Sequence, residues 1–127
     1  MQVQDGEGWR LLVDPARHPF LVLIGGEGWA AELTQTEALL LAEGVGCLCA
    51  QHSTLIDQLL AEEAIALEWE RADLWLELEG DRQSWQLRFV LSSSVGLRSI
   101  EGSWPPVAAA AVSAALTALR AGLVNPA

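Results

Sequence analysis

Apolar and polar side chains alternate almost without a break from residue 65 to residue 91, through IALEWERADLWLELEGDRQSWQLRFVL. A period of two marks strands with one dry face. Ile65, Leu67 and Trp69 fall on that face, then Leu74, Leu76 and Leu78, then Trp85, Leu87, Phe89 and Leu91. Three antiparallel strands result. With Arg71-Ala72 as the first turn, Trp69 stands opposite Leu74 and Leu67 opposite Leu76. With Gly80-Asp81-Arg82-Gln83 as the second, Leu78 meets Trp85, Leu76 meets Leu87 and Leu74 meets Phe89. This pairing keeps the apolar side chains together. So large an apolar surface needs cover, and the rest of the chain offers helices for it.

Upstream, residues 2–8 read as a frayed lead-in, making about 1–8 the flexible start of a single compact domain spanning 1–127. A strand over 9–14 sets Trp9, Leu11 and Val13 on one face. The proline-bracketed stretch 14–19 is a turn, since proline lacks the donor a central strand needs. FLVLI, residues 20–24, is apolar throughout and predicts a strand covered on both sides. Gly25-Gly26-Glu27-Gly28 then turns the chain into WAAEL, where Trp29, Ala31 and Leu33 share a face. These glycines join two strands and lack the GK[ST] ending of a phosphate loop.

Thr34-Gln35-Thr36-Glu37 fits a capping box, and helical spacing follows to about residue 61. Leu41, Val45, Leu48, His52, Leu55 and Leu59 form its seam. Gly44 and Gly46 predict either a bend or break into two helices, or a close approach to the sheet. After the three strands, Ser92-Ser93-Ser94 is a loop and 95–101 a fourth, edge-like strand. Ser103 or Trp104 caps the last helix, with Pro105 and Pro106 suited to its first turn. Val112, Leu116, Leu119 and Leu123 are its stripe, widened by Ala108, Ala109, Ala111 and Ala115. The class is α+β: a curved antiparallel sheet in two strand-then-helix halves, covered by a central helical region and a C-terminal helix.

Charge narrows the function. Seventeen acidic residues face seven basic ones, all arginine, for a formal net charge of -10. Nucleic-acid affinity comes largely from counterions displaced by Lys and Arg, so nucleic acid is disfavoured, as is an anionic membrane. A protein with a basic surface is the more natural partner. The small side chains of the C-terminal helix also offer a route to a homodimer. With 51% hydrophobic and 19% charged residues the chain is not a disordered segment. Cys47 and Cys49 point to different sides of the predicted helix and do not bridge each other, which suits reduced thiols and a cytoplasmic setting. Residues 1–10 lack the basic-then-apolar order of a signal peptide, and the Ala-rich stretch is short for a membrane span.

Candidate chemistry is sparse. His18 and His52 lie at no metal-ligand spacing from a cysteine, and no cofactor is implied. Cys49 and His52 share a helix face, as a thiol–imidazole pair or as separately packed core groups. Glu62-Glu63, Glu68 with Glu70, and Glu77 with Glu79 and Asp81 suggest a divalent-metal site or general acid–base work, but the alternation of Glu68, Glu70, Glu77 and Glu79 with core residues is what a wet sheet face requires. Glu70 is expected opposite Asp73, a mild like-charge conflict. On that wet face Trp75 stands between Glu68 and Arg88. The indole and guanidinium form a cation–π pair that merely covers the sheet, or a platform for a partner's side chain or a base. Arg98 and Trp104 are a second candidate binding pair, with Trp104 alternatively a plug between the last helix and the sheet.

The segments EGWRLLVDPARHPFLVLIGGEGWAAELTQTE, LWLELEG, WQLRFVL and RSIEGSWPP together resemble a small family of uncharacterised cyanobacterial proteins. That family in turn resembles the Whirly-type single-stranded-DNA-binding regulators, in which curved antiparallel strands are followed by helices and a sheet face binds a strand. The resemblance implies a fold and no activity. Three readings follow: a non-catalytic protein-binding module using an acidic, Trp-containing sheet face; a single-stranded nucleic-acid-binding regulator; and a small hydrolase with an acidic or Cys/His site.

Overall fold

The alternating segments close into two separate four-stranded antiparallel sheets, one per half of the chain. A computed structural model describes residues 1–93 and 98–124. The first half runs β1 (Gln2–Gly6), β2 (Trp9–Val13), β3 (Val22–Gly26), β4 (Trp29–Leu33) and α1 (Gln35–Leu55), followed by a 3-10 turn, Ile56–Gln58. The second runs β5 (Ile65–Arg71), β6 (Leu74–Gly80), β7 (Trp85–Ser93), β8 (Arg98–Trp104) and α2 (Pro106–Val124). Strand order follows chain order in both sheets. The predicted two-part α+β plan is observed.

The first sheet repeats one device. GEGW occurs at residues 6–9 and again at 26–29, each time as a two-residue turn between paired glycine and tryptophan. Gly8 and Gly28 take left-handed backbone, φ 78° and 80°, which glycine adopts without a Cβ clash. Gly6, Trp9, Gly26 and Trp29 thereby form one row across four strands. Each indole lies over its glycine partner: a Cβ on Gly6 would lie 3.0 Å from Trp9 Cε2, and one on Gly26 2.6 Å from Trp29 Cε2. Aromatic cover of strand glycines of this kind pins register. The supposed lead-in is therefore a paired edge strand, although every residue of β1 remains exposed.

In the second sheet the expected faces are right and the expected pairings are two residues out. Trp69 pairs with Leu76 and Leu67 with Leu78 around an Ala72-Asp73 turn, with Ala72 at φ 52°. Leu76 pairs with Phe89 and Leu78 with Leu87. Asp81 sets this second turn: its Oδ1 accepts from the amides of Gln83 (2.9 Å) and Ser84 (2.7 Å), closing a four-residue loop outside the Gly80–Trp85 pair. A two-residue slip leaves every side chain on its face, so hydrophobic patterning cannot detect it. The fourth strand runs on to Trp104; its expected start at residue 95 lies outside the described residues.

Both helices lie over the dry face. The capping box forms: Thr34 Oγ1 accepts from the Glu37 amide at 3.2 Å, and Glu37 Oε1 from the Thr34 amide at 2.9 Å. α1 is continuous through Gly44 and Gly46. A Cβ on Gly44 would lie 2.5 Å from Trp69 Cε3, so close approach to the sheet, rather than a bend, explains this glycine. α2 packs beside α1 and on β7 and β2. It starts on the Pro105 carbonyl, which accepts from Ala108 (2.9 Å) and Ala109 (3.0 Å), instead of on a Ser103 or Trp104 cap. Ala111 faces solvent and does not widen the buried stripe. By length and composition Gln35–Gln58 and Pro106–Leu123 are each able to cross a membrane, yet each has one side in the core through residues such as Leu41, Leu48, Val112 and Leu116.

Candidate interaction face

The second sheet divides its side chains strictly. Leu74, Leu76, Leu78, Leu87, Phe89 and Trp104 point inward with at most 2% exposure. Among the described residues, the other parity places Glu68, Glu70, Glu77, Glu79 and Glu101 on the opposite face with one guanidinium, Arg88. This arrangement sets an acidic surface behind a dry one.

Trp75 lies within that surface, half-buried, opposite Glu70 on β5 and Val90 on β7. The expected neighbour Glu68 instead stands opposite Glu77, so the like-charge conflict is Glu68 with Glu77 and not Glu70 with Asp73. Arg88 is directly opposite Glu77, with Nη2 3.5 Å from Glu77 Oε1, and reaches diagonally to place its guanidinium 5.0 Å from the Trp75 ring centroid. The structure brings Trp75 and Arg88 together, by a diagonal contact where direct opposition was expected.

Arg98 and Trp104 lie at opposite ends of β8 and share no patch. Arg98 donates to the Glu32 carbonyl at 2.6 Å, pairs with Glu37 and stacks 4.4 Å from the Phe20 centroid. It borders a shallow depression of about 500 Å³ between β4 and β8 with Phe20, Ile100 and Glu101. Trp104 is fully buried, and its indole N–H donates to the Gly25 carbonyl at 3.0 Å. It is a plug, and the surface reading of Trp104 is corrected: its neighbours Phe89 and Trp29, with centroids at 5.5 and 5.3 Å, close over it. Sequence reasoning missed Trp29, whose N–H donates to the Ser103 carbonyl at 3.2 Å and helps stitch the two sheets. No local pattern signals that contact, because it spans seventy-four positions.

The remaining candidates separate. His52 is buried; its Nε2 lies 2.9 Å from the Asp81 carbonyl, where Nε2–H donates, and its ring lies 5.6 Å from that of Trp85. Cys49 instead contacts Ser113, Sγ to Oγ 3.5 Å, and burial pushes its thiol up despite that contact. A thiol held in its neutral form is a poor nucleophile. His18 is exposed in its turn, and Glu63 Oε1 accepts from the Leu60 amide at 3.3 Å. Among the described residues no three His, Cys, Asp or Glu side chains converge as metal ligands. A cleft of about 570 Å³ opens between β1, β2 and the end of α2, lined by Leu11, Val13, Leu119 and Leu123, with no ionisable side chain among the described residues that line it.

Comparison places the chain. A family model described as a domain of unknown function, DUF1818, matches residues 4–119. The chain belongs to that family. It is also similar to a crystal structure, at 1.80 Å, of a protein with unknown function from the DUF155 family of Prochlorococcus sp. NATL2A. The two are 40% identical over 94% of this chain and 98% of that one, with a TM-score of 0.88. This agrees with the resemblance to uncharacterised cyanobacterial proteins. No curated protein matches.

Proposed function

We propose that this DUF1818 chain is a non-catalytic, cytoplasmic binding protein whose outer β5–β8 face docks a protein with a basic surface. One observation carries the reading: Trp75, a half-buried indole in the middle strands, is bordered by Glu70 and Glu77 on a face that holds five carboxylates and one guanidinium among the described residues. Trp75 supplies a flat apolar contact with little rotamer entropy to lose, and the glutamates supply attraction for Lys and Arg. Glu68 and Glu77 stand directly opposite each other, which concentrates that attraction beside the ring. Titrating an arginine-rich peptide by calorimetry tests this. The expected result is binding that weakens with salt and falls about tenfold in Trp75→Ala. Equal binding of a matched acidic peptide would sink the reading.

The second reading, a single-stranded nucleic-acid regulator, draws on the Whirly-type resemblance and on the stacking capacity of Trp75. The acidic residues around that ring oppose it. Labelled oligonucleotides bound at micromolar concentration, with affinity falling as salt rises, would favour it over the first.

A further inference from the structure

Among the described residues an arginine lies over an aromatic ring and against a glutamate in two other places, and both times the arrangement ties a strand or loop to α1. Arg71 lies 5.1 Å from the Trp69 centroid and pairs with Glu43. Arg98 lies 4.4 Å from the Phe20 centroid and pairs with Glu37. Each joins segments far apart in the chain, where an added contact restrains something otherwise free.

Arg88 repeats the chemistry without that purpose. Trp75 and Glu77 belong to β6 and Arg88 to β7, strands already paired from Leu74↔Leu91 to Gly80↔Trp85. A contact across an existing ladder adds little restraint. Its ion pair is long, 3.5 Å, and the Arg88 side chain is 55% exposed while that of Glu77 is only 16% exposed. The carboxylate and the ring are set into the face, and the cation lies on top of them from the solvent side.

We infer that Arg88 fills, in the free protein, the seat that a partner's arginine or lysine side chain takes on docking, so that binding proceeds by exchange of one cation for another. This deepens the proposed role of the face and rests on it. The ring attracts a cation through its negative face, and Glu77, with Glu68 opposite, supplies the charge. With Arg88 in place neither group waits unpaired, and the incoming cation displaces an exposed, weakly held one. Arg88 is thus a competitor for the partner, and its removal tightens binding.

The test is calorimetric titration of a short peptide of alternating arginine and glycine into wild type, Arg88→Ala, Arg88→Gln, Trp75→Ala and Arg120→Ala at fixed ionic strength. Arg120 is exposed on α2, in the helix layer over the opposite side of the sheet, so its loss reproduces the charge change without vacating the ring. Exchange predicts that both Arg88 variants bind about three- to tenfold tighter than Arg120→Ala. Arg88 variants that bind no tighter than Arg120→Ala overturn the exchange, while wild-type binding lost in Trp75→Ala keeps the face itself. No binding by wild type or by either Arg88 variant overturns both.

Discussion

The two faces of the β5–β8 sheet use aromatic residues in opposite ways. Inward, Phe89 and Trp104 lie with ring centroids 5.5 Å apart, Trp29 reaches in from the other sheet, and the one indole N–H in the deepest position has its acceptor in Gly25. Outward, Trp75 has a guanidinium for its neighbour and carboxylates around it. Inside, an aromatic ring fills core volume and packs against other rings. Outside, the same ring is a flat place for a charge to rest. A tryptophan's role is therefore set by strand parity and not by its identity.

Substitution across that divide sharpens the contrast most. Trp104→Ala removes a fully buried side chain and should cost about 3–5 kcal/mol of stability in urea unfolding, as large-to-small core changes do. Trp75→Ala should cost about 1 kcal/mol or less, since it loses one surface pairing. Comparable losses at both positions would collapse the distinction between the faces.

The helix over the dry face gives the next largest effect, with a sign that differs two residues apart. An added methyl at Gly44 meets Trp69 and Leu76, so Gly44→Ala should be destabilising by about 1–3 kcal/mol before a helix-propensity gain of about 1 kcal/mol. At Gly46 nothing lies within 4 Å of the added atom, so Gly46→Ala should stabilise by up to about 1 kcal/mol. Thermal unfolding of the two variants measures this; a stabilised Gly44→Ala would show that α1 does not press on the sheet.

The smallest effect tests the turn at the end of the sheet. Hydrogen bonds from the amides of Ser84 and Gln83 hold the Asp81 carboxyl below its ordinary value against desolvation, with a lesser contribution from the nearby His52. A depressed folded value means the charged form favours folding. Its contribution is present above the unfolded carboxylate value and is lost as pH falls through the folded one. Asp81→Asn should therefore be less stable than wild type at neutral pH, with the difference in urea midpoint closing on acidification through the carboxylate range. A difference independent of pH would remove Asp81's charge from the account.

Alternation alone placed Leu74, Leu76 and Leu78 on the dry face and Trp75, Glu77 and Glu79 on the wet one, because a period of two assigns faces without reference to any partner strand. The Thr34–Glu37 capping box was equally legible, since all its bonds form within four residues. Pairing was not, because moving a strand by two residues costs no burial; Ala72-Asp73 and the Asp81 side chain decided it at the turns. The edge strand β1 buries nothing and so left no mark in the hydrophobic pattern. Only tertiary structure brought Trp29 to Trp104, converted Arg98 from a surface candidate into a tether on Glu37, and gave Cys49 and His52 different partners. Those contacts join residues far apart along the chain, where no local spacing carries information about which side chains meet.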